Sequence, residues 1–75
     1  MKLDWKIRAT LLHGLTGQDI EYCAVPANTE LEIESTPYPH GIWGKDHQTI
    51  LVQSETGAYY RYRVLSLDLT RPAAV

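Results

Sequence analysis

From Trp5 to Leu12 the chain alternates with a period of two: Trp5, Ile7, Ala9 and Leu11 fall on one side, Lys6, Arg8 and Thr10 on the other. Successive side chains of an extended backbone point to opposite faces, so this pattern specifies a strand with one face buried. The alternation returns from Ala58 to Val64, with Tyr60, Tyr62 and Val64 on one face and Tyr59, Arg61 and Arg63 on the other. Just before it, Thr49 to Ser54 reads as a strand directing Ile50 and Val52 inward, and Glu55-Thr56-Gly57 is a compact turn signal between the two. Two β-rich runs joined by so short a turn predict a hairpin. These runs commit the chain to a mostly β fold.

The remaining segments are shorter. His13 to Asp19 holds two glycines and reads as a loop, and residues 20–25 as an extended segment whose inward face the sequence leaves open. Thr29-Glu30-Leu31-Glu32 fits a helical capping box, yet Leu31 and Ile33 alternate with Glu30, Glu32 and Glu34. Ser35-Thr36-Pro37 ends that segment too soon for a stable helix, so a strand with an acidic outer face is expected. Residues 35–47, with Pro37, Pro39, Gly41 and Gly44, predict a long irregular stretch. Leu65, Leu67 and Leu69 suggest a last short strand, followed by a frayed tail over 70–75.

Seventy-five residues make one domain, 1–75, with a small core and little room for a deep pocket. Seven basic residues against nine acidic ones leave a net charge of -2, which argues against strong nonspecific attraction to nucleic acid or anionic membrane. The charge is unevenly placed. Asp19, Glu21, Glu30, Glu32 and Glu34 cluster without a base, whereas Arg61, Arg63 and Arg71 share the last stretch with Asp68 alone. A single cysteine, Cys23, allows no disulfide within the chain. No apolar run reaches membrane-spanning length and Met1 to Lys6 lacks a secretory pattern, so a cytoplasmic location is expected.

Short strands at roughly 8–12 residue spacing suggest a small barrel or sandwich. The layout is a first strand from Ile7 to Leu12, a loop closing with Val25 to Ile33, an irregular loop, and a hairpin turning at Glu55-Thr56-Gly57. It resembles the SH3-like barrels: first strand, RT loop, second strand, n-Src loop and distal hairpin. The resemblance spans about Ile7 to Leu69 and implies an all-β, five-stranded barrel. It does not carry a function, because one small barrel serves many. Where peptide-binding SH3 domains have their aromatic first-strand motif, paired tryptophans and late Pro-Asn-Tyr, this chain has Ala9-Thr10-Leu11-Leu12-His13, Thr49-Ile50-Leu51 and Ser66-Leu67-Asp68. A proline-motif groove is therefore not implied.

Two residue sets are candidate binding sites. Tyr38, His40, Ile42 and Trp43 crowd the loop 37–44, and tyrosine and tryptophan pair apolar area with a polar handle suited to protein recognition. The competing role for Ile42 or Trp43 is to cap an undersized core. The second set, Lys6, Arg8, Tyr59, Arg61 and Arg63, offers cations beside an aromatic, as in barrels of the Tudor and KOW type that bind nucleic acid. Its competing role is a solvated face whose arginines pair with Glu30, Glu32 and Glu34. His13, His40, His47 and Cys23 match no zinc spacing, so no metal and no cofactor are expected. Ser35, Ser54 and Ser66 lack a nucleophile-elbow context, and no phosphate-binding or metalloprotease motif occurs.

These features predict a non-catalytic interaction or accessory module, bacterial or carried on a mobile element, that binds a protein partner through Tyr38, His40, Ile42 and Trp43. The alternative is a nucleic-acid-binding barrel using Lys6, Arg8, Tyr59, Arg61 and Arg63. A third reading is a homo-oligomer with a shared central site.

Overall fold

A computed structural model describes residues 1–39 and 45–70. Six strands form one antiparallel sheet: β1 Ile7–Leu12, β2 Asp19–Val25, β3 Leu31–Ile33, β4 Tyr38–Pro39, β5 Asp46–Gln53 and β6 Tyr59–Leu65. The order is β2-β1-β6-β5-β3, with β4 sharing the outer edge of β5 beside β3. The hydrogen-bonded path does not return on itself, so the described strands form a sheet that is not closed into a barrel. A stretch running back from β1 shields the β3 end. Lys2 bridges Glu30, the Leu31 amide donates to the Met1 carbonyl at 2.9 Å, and Asn28 donates to Leu3 at 2.7 Å. Asn28 adopts a φ of 64° there, a left-handed conformation that asparagine tolerates better than most residues.

The predicted hairpin forms in the expected place. Gln53 pairs with Tyr59 and the register continues to His47 opposite Leu65. Within the turn the Ser54 amide donates to Ala58 at 2.7 Å and the Gly57 amide to Ser54 at 3.0 Å. Gly57 has a φ of 88°, which explains why glycine stands at that position.

The core lies on one face of the sheet. Ile7, Ala9, Val25, Leu31, Ile50 and Val64 bury there with Leu3 and Leu69, and Trp5, Cys23, Val52 and Tyr62 pack against them. Cys23 and Val25 thus supply the inward face of β2 that periodicity left open, while Ile20 and Tyr22 are exposed.

Four local expectations change. Leu11 was expected inward and is half-buried, whereas Leu12 is buried. The register shifts between them: Leu11 pairs with Glu21 but Leu12 with Asp19, leaving Ile20 as an extra residue on β2, while β1 itself keeps its alternation and buries Leu12 two residues after buried Thr10. Ile33 does not bury with Leu31, because β3 is only three residues long and its far end is exposed. The irregular stretch is shorter than expected, since Tyr38–Pro39 pairs with Asp46–His47 and β5 starts at Asp46. The last strand over Leu65, Leu67 and Leu69 is instead a 3-10 turn, Ser66–Leu69, following β6. That turn buries Leu69 and Asp68 while Leu67 points to solvent, and the Trp5 indole Nε1–H donates to the Asp68 carbonyl at 2.8 Å. The tail beyond residue 70 lies outside the described residues.

Candidate functional site: a cationic groove on the outer sheet face

The face opposite the core is not uniformly solvated. Cross-strand partners share a face, and register sets Thr10 between Tyr22 of β2 and Arg63 of β6, with Thr49 beyond Arg63 on β5. Thr10 and His47 are both buried on this side, where simple alternation predicts exposure. Around them four strands, β2, β1, β6 and β5, line an open groove of about 690 Å³. Arg8, Lys45 and Arg63 supply three cations to its described lining, Tyr22 and Leu65 supply apolar surface, and no described lining residue is a carboxylate.

Each cation is held differently. Arg63 is mostly buried; its Nη2 donates to Asp19 Oδ1 at the bulged end of β2, and its Nε has no hydrogen-bond partner. Arg8 stands opposite Ala24, with its side chain 73% exposed and its Nε 3.9 Å from Asp68 Oδ2, too far for a hydrogen bond. Lys45 is exposed at the entry to β5. The His47 ring lies 2.9 Å from the Lys45 carbonyl through Nδ1, and because a carbonyl only accepts, Nδ1 carries the hydrogen. A buried ring thereby anchors the backbone that presents the lysine.

The sequence-derived nucleic-acid set does not assemble as one patch. Arg8 and Arg63 line the groove together, and Lys6 is exposed just before β1. Arg61 is occupied: its Nε donates to Glu34 Oε2 at 2.8 Å, and that carboxylate raises the guanidinium above its ordinary pKa. This is the acid–base pairing weighed from the sequence as the competing role. Tyr59 lines a separate groove of about 390 Å³ beside Glu30 and Glu32. Of the aromatic-loop set, Tyr38 is half-buried and pairs directly with His47, next to the cationic groove. His40, Ile42 and Trp43 lie outside the described residues.

Lys45, Tyr22 and His47 were not singled out from sequence as contact residues. Lys45 precedes β5, where no alternation assigns it a side, so only the folded chain shows that it lines the groove. A buried histidine at the second position of a strand looks like any exposed one until the neighbouring strands are known.

Among the described residues the lone thiol has no activating partner. Burial, then the Glu21 carboxylate, push Cys23 above its ordinary pKa, partly offset by a hydrogen bond that the sulfur accepts from the Leu11 backbone. A nucleophilic cysteine needs the opposite shift. Among the described residues, no three His, Cys, Asp or Glu side chains gather to hold a metal ion, and no helix is long and apolar enough to cross a membrane. The chain matches no protein-family model, no curated protein and no solved structure.

Proposed function

We propose that this chain is a non-catalytic interaction module that docks a protein partner on the outer sheet face, with Tyr38, His40, Ile42 and Trp43 as its contact loop. One observation carries this reading: Tyr38 pairs with His47 and so borders a groove large enough for a few partner side chains. His40, Ile42 and Trp43 enter on their residue types alone. The raised thiol of Cys23 argues only against that side chain as a nucleophile. An SH3-like architecture remains our reading of the fold, supported by the hairpin turning at residues 55–57 and by the Met1–Leu3 stretch lying beside residues 28–31. We place the protein in the cytoplasm on the strength of its single cysteine.

A peptide ligand selected from a random display library tests the docking surface. Amide shift changes on Tyr38, on 45–49 and on the facing residues of β1 and β6 are expected. A footprint on the Glu30 and Glu32 groove or at the 55–57 turn refutes the reading.

The nucleic-acid reading keeps one observation in its favour: exposed Tyr22, a stacking surface, lies in the same groove as Arg8 and Arg63. Anisotropy of labelled single-stranded DNA and RNA tests it. Steeply salt-dependent binding that Arg8→Ala abolishes supports it, and flat titrations remove it.

A further inference from the structure

We infer that the outer-face groove recognises carboxylate side chains, and that its occupant is a short acidic peptide segment of a partner protein. The inference rests on the docking reading above and names the chemistry of that site.

Charge is the first argument. Three cations line the groove and no described lining residue opposes them. The two carboxylates nearby are incompletely matched to them: Asp19 accepts from one Arg63 nitrogen, and Asp68 lies 3.9 Å from Arg8. Arg8 therefore retains donors for a ligand. An arginine fork matches a carboxylate in a two-point geometry that a neutral amide cannot reproduce. Ala24, directly across from Arg8, is too short to cover that fork. Lys45 supplies a second exposed cation from a backbone that the buried His47 ring holds in place.

Extent is the second argument, and it separates a peptide from a nucleic acid. A phosphodiester chain carries a charge at every nucleotide and needs a continuous cationic track. Along β6, among the described residues, the cationic track ends after one groove, while on the other side Lys6 lies two residues before Arg8. Farther along β6, Arg61 is taken by Glu34, and the separate groove at Tyr59 carries Glu32 and a Glu30 that pairs with the Met1 ammonium at 3.0 Å. A polyanion leaving the Arg8 and Lys45 site in that direction meets carboxylates. A peptide with one or two acidic residues beside an apolar one does not, and Tyr22 and Leu65 offer the apolar contact.

The test uses three fluorescein-labelled probes: an acidic nonapeptide of Leu, Asp and Glu, the same peptide with Asn and Gln in place of the acids, and a ten-nucleotide oligo-dT. The acidic peptide is expected to bind, the amide peptide and the oligonucleotide not. Arg8→Glu and Lys45→Glu are each expected to weaken binding tenfold or more, whereas Glu32→Gln leaves it unchanged. Lys45 is exposed, so Lys45→Glu should melt with the parent; Arg8 faces the buried Asp68 carboxylate at 3.9 Å, so Arg8→Gln, which adds no like charge there, is measured beside Arg8→Glu. A variant that melts early is replaced by Arg8→Gln or Lys45→Gln. Equal binding of the amide peptide with a footprint on the groove overturns carboxylate recognition but leaves the docking surface intact. Binding of the oligonucleotide alone, of no probe, or of a probe footprinted elsewhere overturns both.

Discussion

Leu31 and Ile33 occupy equivalent places in the sequence alternation, yet the fold treats them differently, and replacing each with alanine turns that difference into a measurement. Leu31 is 4% exposed within the core cluster, while Ile33, two residues along the same strand, is 41% exposed. Emptying a buried leucine site removes transfer free energy and leaves a cavity, at a cost of about 2–5 kcal/mol. At Ile33 part of the side chain is already in water and solvent refills the space, so about 1 kcal/mol is expected. A domain of this size has roughly 4–11 kcal/mol in total, so Leu31→Ala removes a large share. Urea unfolding followed by tryptophan fluorescence gives both values. The slope with urea should be unchanged and the midpoints well separated, with thermal midpoints falling by more than about 10 °C for Leu31→Ala and by about 4–8 °C for Ile33→Ala. Loss of β-branching acts only at Ile33, which biases the comparison against the expected order. Equal costs, or a larger one at Ile33, would refute the burial assignment of β3.

Gly57→Ala should cost about 1 kcal/mol by urea titration, because the φ of 88° opposes a side chain while a Cβ there meets nothing nearer than Gln53 Nε2 at 4.0 Å. Gly14→Ala, with open space around it and no positive φ, should be close to neutral. Trp5→Phe removes the donor to the Asp68 carbonyl and should cost about 1–2 kcal/mol, read by thermal melting. Burial is the leading cause that raises both Cys23 and Tyr62 above their ordinary values of 9.0 and 10.0. The unfolded chain then ionises first, so the stability held below pH 9 should fall as pH rises through 9 and 10 toward the folded-state values. Removing the thiol with Cys23→Ala should flatten the first part of that fall, and a profile unchanged by the substitution would refute it.

The strands were legible because their signal is local. Period two in Ile7 to Ala9 and in Tyr60 to Val64, and a glycine placed where the turn needs positive φ, act over a few residues regardless of what packs nearby. The binding surface was only half legible for the converse reason. Tyr59, Arg61 and Arg63 share a strand face, yet Tyr59 borders Glu30 and Glu32, Arg61 pairs with Glu34, and Arg63 enters a groove with Arg8. Which strand lies alongside is a matter of register across tens of residues, and a pattern within one strand carries no information about it.

By itself, then, the sequence determined an antiparallel β chain, the hairpin at Glu55-Thr56-Gly57 and the inward identity of Ile7, Ile50 and Val64, since propensity, alternation and turn chemistry agree there. Tertiary structure alone decided that Leu12 is buried beyond a bulge, that Ser66–Leu69 turns instead of extending, and that Thr10 and His47 are buried on the face opposite the core. Burial belongs to the assembled sheet: a side chain leaves water only when neighbouring strands bring atoms over it, and those strands come from elsewhere in the chain.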